Sequence, residues 1–251
     1  MNEEAHWDRI AVDYNKEIFD VFRSDRNKLL RRYFNKHANK ERDAMDFGCG
    51  TGKALEYLSP RFRTIHAIDI SSECLATAKR LHYPNTSFKR QDLSQPNLRL
   101  PKVDFIFCCN VIMLPEGEKN LNMFRNIGKL LKKGGSALIV IPSLDSILFS
   151  SWRLIDWYGR EGVVPAKIPS NELEYFKGSK TDIIQGIIHI DGVPTKHYSQ
   201  SQIEVLLNRA RLEPTAIKKL EYDWNTEFAT PPKWMKGPYP WDWLVECRQL
   251  S

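Results

Sequence analysis

The sequence predicts an α/β fold with a mostly parallel sheet, and three observations carry that prediction. From Asp43 onward, short apolar runs alternate with helical stretches, the pattern of strand–helix–strand units. A glycine turn, Gly48-Cys49-Gly50-Thr51-Gly52, follows the first apolar run directly. Acidic residues, Asp46 and Asp69, end the first two runs, where open α/β sheets present groups to ligands.

Composition agrees with a packed globular chain. The 251 residues are 42% hydrophobic and 27% charged, and the whole length reads as one domain, residues 1–251. Acidic residues replace the positive n-region of a signal peptide at Met1-Asn2-Glu3-Glu4, and the most apolar runs, Val103 to Leu114 and Ala137 to Ile141, fall short of the ~20 residues of a membrane span. Five cysteines without a C-x-x-C pair argue against a disulfide framework, so a cytoplasmic protein without membrane attachment is expected.

Residues 1–42 read as N-terminal helices: Trp7, Ile10, Ala11, Tyr14, Ile18, Val21 and Phe22 recur at helical spacing, and a second helix is expected near Asp25 to His37. Residues 43–142 form the core, with strands near Ala44 to Phe47, Thr64 to Asp69, Ser87 to Arg90, Val103 to Cys109 and Ala137 to Ile141. Ser71 or Ser72 caps the helix after the second strand, and the helix from about Glu116 to Leu131 is expected to stop at Gly134-Gly135. Residues 143–198 are aromatic and interrupted by Pro165, Pro169, Gly178, Gly186 and Gly192, and read as a lid insertion. Residues 199–251 resume with a capping box at Ser201 to Glu204 and a helix carrying Ile203, Leu206, Leu207 and Ala210. Runs at Thr215 to Tyr222 and Trp241 to Cys247 then suit a closing antiparallel pair, giving seven strands in all.

The glycines bear on chemistry because a missing Cβ permits positive φ and lets backbone press against a ligand. Their spacing is G-x-G-x-G, with Lys53 where the dinucleotide pattern G-x-G-x-x-G needs glycine, so a nicotinamide cofactor is disfavoured. Asp69 sits where a Rossmann-like fold places the carboxylate for ribose hydroxyls, although an Asp there also suits a helix cap.

Asp46-Phe47-Gly48-Cys49-Gly50-Thr51-Gly52 resembles the first motif of the class I S-adenosylmethionine-dependent methyltransferases. The resemblance runs on through Gln91-Asp92-Leu93, the strand Val103 to Asn110 and the turn Leu131 to Leu138, covering about Asp43 to Pro142. It implies a Rossmann-like three-layer sandwich and S-adenosylmethionine as cofactor. The glycine turn would lie along the methionine part, Asp69 on the ribose, Asp92 at the adenine amine, Leu93 on the ring and Asn110 beside the sulfonium. Tyr14, Cys49, Gly52 and Ile70 complete the expected cofactor contacts. One departure is Arg211, where many relatives carry a glycine suited to left-handed backbone.

No side chain stands out as catalytic. His189, Asp191, His197 and Tyr198 read first as polar residues at a strand end, and no ligand spacing for a metal appears. Asn110-Val111-Ile112-Met113-Leu114-Pro115 lacks the proline-plus-aromatic signature of enzymes that methylate planar amines. A small organic acceptor is the preferred reading. The net charge of +6 and the basic stretch from Arg23 to Arg42 keep RNA or protein as the runner-up, though a charge run is more simply a wet helix face. A non-catalytic S-adenosylmethionine-binding protein is the third reading.

Overall fold

The computed structural model of the chain describes residue 8 and residues 20–190 and 192–250. Two helices, α1 (Val21–Ser24) and α2 (Leu29–His37), precede β1 (Asn39–Phe47). The core continues through α3 (Leu55–Leu58), β2 (Phe62–Asp69), α4 (Ser72–Lys79), β3 (Thr86–Arg90), β4 (Val103–Cys109), α5 (Gly117–Leu130) and β5 (Leu131–Pro142). Next come α6 (Leu144–Arg160), α7 (Lys180–Gln185) and a separate hairpin, β6 (Ile187–Ile190) with β7 (Val193–Lys196). Helix α8 (Gln200–Arg209) leads to β8 (Leu212–Glu221) and β9 (Trp241–Gln249). Seven strands form one sheet in the order β3-β2-β1-β4-β5-β9-β8, with β1 to β5 parallel and β9 antiparallel to both neighbours.

Burial alternates along the strands and explains the three layers. On β4, Ile106 and Cys108 face one apolar layer with Phe124, Ile127 and Tyr198, while Phe105 and Phe107 face the other with Phe34, Leu55 and Phe62. Both faces of the central strands are covered, as parallel sheets require. Among the described residues, no helix is long and apolar enough to cross a membrane.

Local chemistry departs from the sequence expectations at two places. The capping box of α8 is Ser199 with Gln202, two residues before the expected one, because Ser199 keeps an extended backbone and accepts from the Gln202 N–H. Helix α5 ends at Leu130 rather than at Gly134-Gly135, because Leu131 already turns extended and pairs beside Val103. Gly134, at φ 78°, lies inside the early part of β5. The cap of α4 is Ser71, whose hydroxyl accepts from Cys74 N at 3.0 Å. Of the first expected helix, Val21 and Phe22 fall in α1, while Trp7, Ile10, Ala11, Tyr14 and Ile18 lie outside the described residues.

Residues 143–198 leave and rejoin the core at one point. Tyr198 N donates to Pro142 O and Leu144 N to Tyr198 O, both at 2.9 Å, so the segment begins and ends on the last turn of β5. Trp243 Nε1 donates to Tyr198 O at 2.9 Å and pins that junction to β9. Tyr198 is fully buried, which places the end of the insertion inside the core.

Arg211 does adopt the left-handed backbone, at φ 57°. For a residue with a Cβ this conformation is strained, so Arg211→Gly should raise stability by about 0.5–1 kcal/mol despite the entropy of glycine. Urea denaturation of the two proteins measures the difference; a less stable variant contradicts the assignment.

Candidate functional site

The chain crosses from β3 at one edge back to β4 on the other side of β1, so the loops after β1 and β4 part and leave a crevice at the carboxyl edge. A cavity of about 380 Å³ lies there. Gly48, Gly50, Asp69, Ile70, Asp92, Leu93 and Asn110 line it, together with Val111, Met113, Leu114 and, from β7, Val193, Pro194 and Thr195.

The glycine turn comes as close as it does because two of its residues lack a Cβ at a crowded place. Gly48 N and Cys49 N both donate to Ile68 O at 2.9 Å, which folds the turn back over the end of β2. Gly48 has φ 85°, and a Cβ there would meet Val111 Cγ2 at 2.2 Å. Gly50 has φ 49°, and its N–H donates to Asp69 Oδ2 at 2.7 Å. Gly52 serves packing instead: its Cβ would press Leu55 and Leu81 at 3.0 Å. Cys49, Gly52 and Asp46 thus stand behind the cavity wall, not on it.

Three carboxyl groups lie near the turn, and their surroundings push their pKa values in opposite directions. Asp69 is oriented at both oxygens, by Gly50 and by Ser71 N at 2.9 Å, yet burial raises its pKa. Asp46 is 2% exposed and its Oδ2 has no hydrogen-bond partner among the described residues. Burial first, and the charge of Asp69 second, push its pKa up to about 8. Asp92 opposes this trend: burial disfavours its charge, but bonds from Gln95 Nε2 at 2.7 Å and from Ser94 hold it below the usual carboxylate range.

Asn110 follows β4 in a left-handed turn, φ 53°, with its N–H on Val140 O at 2.9 Å. Its Oδ1 is buried without a partner among the described residues. On the cavity wall beside a glycine floor, such an unpaired oxygen fits a ligand that brings its own donor or cationic group.

The other sequence candidates are elsewhere. His197 is 7% exposed, and burial lowers its pKa to about 4; Tyr198 is in the core, and Asp191 is outside the described residues. His189, half-buried on β6, is not on the cavity. Sequence reasoning missed Val111, Met113 and the β7 residues, because no local pattern says that Lys196 N will bond Met113 O at 2.9 Å and bring the hairpin over the cavity.

Gly48→Ala should cost about 2–4 kcal/mol of stability, from the φ change together with the clash against Val111. Gly117→Ala is the control: Gly117 has open space around it in the first turn of α5 and should be neutral or slightly stabilising. Parallel thermal and urea melts read both.

Residues 44–135 match the family described as "Methyltransferase domain". A dTDP-3-amino-3,6-dideoxy-α-D-glucopyranose N,N-dimethyltransferase of Streptomyces fradiae is 34% identical over 68 residues, 27% of this chain and 23% of the relative. A probable S-adenosylmethionine-dependent methyltransferase of Saccharomyces cerevisiae is 24% identical over 144 residues, 53% of this chain and 43% of the relative. The chain therefore spans less than half the length of these curated relatives. Among solved structures, the DhpI–SAM–HEP complex superposes with a TM-score of 0.63 at 14% identity, covering 98% of this chain and 95% of that one. Residues 44–135 are thus similar to a methyltransferase domain, and the fold built around them is shared with the DhpI–SAM–HEP complex.

Proposed function

We propose that the chain is an S-adenosylmethionine-dependent methyltransferase acting on a small organic acceptor at the cavity beside Gly48, Asp69 and Asn110. The observation that carries this is Asn110 Oδ1, buried and without a partner among the described residues, on a cavity floored by Gly48 and Gly50 and flanked by Asp69. The cofactor supplies an activated methyl group on a sulfonium and leaves as S-adenosylhomocysteine. The S. cerevisiae relative is a probable S-adenosylmethionine-dependent methyltransferase, and the DhpI structure is a complex with SAM.

The chain's own residues divide the binding work. Asp69, already aimed by Gly50 and Ser71, keeps lone pairs for ribose hydroxyls. Ile70 and Leu93 offer apolar faces to the adenine, and Asp92, steadied by Ser94 and Gln95, accepts from its amine. Asn110 turns an oxygen toward the sulfonium end, while Gly48 and Gly50 leave room for the methionine backbone. No general base is required for in-line displacement, where alignment alone accounts for roughly 7–11 kcal/mol in favourable cases. Residues 143–198 act as the acceptor-side cover, since Val193, Pro194 and Thr195 already reach the cavity.

The basic residues support this reading over an RNA acceptor. Arg32, Lys36, Lys218 and Lys219 line a separate hollow with no residue in common with the cofactor cavity. A labelled-methyl assay against pooled metabolites, with RNA and protein run in parallel, tests the reading. Label should enter the small-molecule pool; label in RNA or protein alone would overturn it.

Asp69→Ala should weaken S-adenosylhomocysteine by about 1.5–3 kcal/mol in calorimetry without loss of fold. Asp46 adds a pH signature. Its native pKa of about 8 exceeds that of an unfolded carboxyl, about 4, so the native state holds the extra proton between those values. Stability without cofactor therefore falls as pH rises across that window. A cationic ligand favours the ionised form, so binding near pH 7 should release protons, more for the sulfonium than for the thioether. Calorimetry in buffers of different ionisation enthalpy reads this release, and Asp46→Asn should abolish it.

A further inference from the structure

The hairpin β6–β7 pairs with no strand of the seven-stranded sheet, yet Val193, Pro194 and Thr195 of β7 line the cofactor cavity. What ties it there is concentrated at its last residue, Lys196. The Lys196 N–H donates to Met113 O at 2.9 Å, on the loop that supplies another part of the cavity wall. The Lys196 side chain is itself buried. Its ammonium donates to three oxygens: Gln185 O, the last carbonyl of α7, at 2.5 Å, His197 O at 2.5 Å, and Gln202 Oε1 of α8 at 2.9 Å. It also lies 4.3 Å from the centroid of the Tyr198 ring. One side chain thus joins the end of α7, the exit of the hairpin and the start of α8.

A buried ammonium is costly and is ordinarily paired with a carboxylate. Among the described residues all three acceptors of Lys196 are neutral. Three N–H groups meet three oxygens, so hydrogen bonds alone satisfy the charge. Burial lowers the pKa to about 8, which leaves the group protonated at pH 7. The backbone is shaped around it. Gly186 ends α7 at φ 80°, and a Cβ there would meet His197 O at 2.4 Å and Lys196 Nζ at 3.1 Å. His197 N closes the same knot by donating to Gly186 O at 2.7 Å.

We propose that Lys196 is a positioning residue whose ammonium latches the hairpin over the cavity and so sets how long a ligand stays there. Lys196 is not on the cavity wall and acts through Val193, Pro194 and Thr195, which are. The choice of S-adenosylhomocysteine as the ligand rests on the methyltransferase reading above; the latch rests on the hairpin alone. Loosening a cover speeds departure more than entry, because affinity differences within one site lie mainly in the release rate.

The test uses the full chain, with stopped-flow kinetics of S-adenosylhomocysteine and hydrogen exchange of backbone amides. Lys196→Met keeps an apolar stem and removes all three donors, so release should quicken about tenfold while association stays within about twofold. Amide exchange at residues 193–196 should quicken with it, while Gly48, Cys49 and Gly50 keep their protection. Gln202→Glu preserves the capping box with Ser199 and gives the ammonium a counter-charge. Release should then slow about threefold, and the slowing should vanish in combination with Lys196→Met. Unchanged release and hairpin exchange in Lys196→Met, a loss of protection that spreads to the glycine turn, or Gln202→Glu without slowing would overturn the proposal. If Lys196→Met does not fold, Gln202→Glu decides by itself. If the unaltered chain does not bind S-adenosylhomocysteine, the methyltransferase reading falls, and hairpin exchange in the two variants still decides the latch.

Discussion

Asp46, next to last on the central strand, has its carboxyl shut away from water, and its Oδ2 has no hydrogen-bond partner among the described residues. An ionised carboxylate in such a place is costly, so the group stays protonated and waits for positive charge. Its register neighbours are Ala67 on β2 and Phe107 on β4, neither of which can hydrogen-bond it through a side chain. The polar relief has to come from the open end of the sheet. That end is where the glycine turn, Asp69 and Asn110 converge.

The convergence is enforced by crowding as much as by attraction. Val111 fills the space a side chain at Gly48 would take, so the loop after β4 and the loop after β1 share one boundary. Two left-handed turns, at Gly48 and at Asn110, peel the chain away on either side of it. Asp69 then locks the turn from β2 by accepting from Gly50 N. The result is a polar rim at the carboxyl ends of β1 and β2, where the strands themselves are mostly buried.

Beyond Asn110, the closing strands β8 and β9 do more than cover the sheet. Because β9 runs antiparallel to β5, its first residues, not its last, meet the carboxyl edge, which brings Asp242 beside Asn110. Helix α6 lies over the same region through Phe149, and the hydroxyl of Ser146 accepts from Trp241 N at 2.8 Å. The insertion and the tail therefore form one wall, although 80 or more residues separate their parts in the chain.

Much of the core was legible because its signals are local. The alternation of apolar runs with helices, Asp46 and Asp69 at strand ends and the G-x-G-x-G spacing all lie within short windows, where backbone sterics and burial act on neighbouring residues. Boundaries were less so. Gly134-Gly135 looks like a helix stop by composition, yet pairing with β4 had already made the chain extended at Leu131. The Ser199 cap was shadowed by an equally good pattern two residues on. By itself the sequence determined the parallel sheet, the glycine turn and the acidic residues that flank it, since each follows from propensities spanning a few residues. Only the tertiary structure decided that Asp46, Cys49 and Gly52 stand behind the cavity wall, and that the β7 hairpin reaches it. Those placements depend on strand order and long-range packing, and no local spacing encodes them.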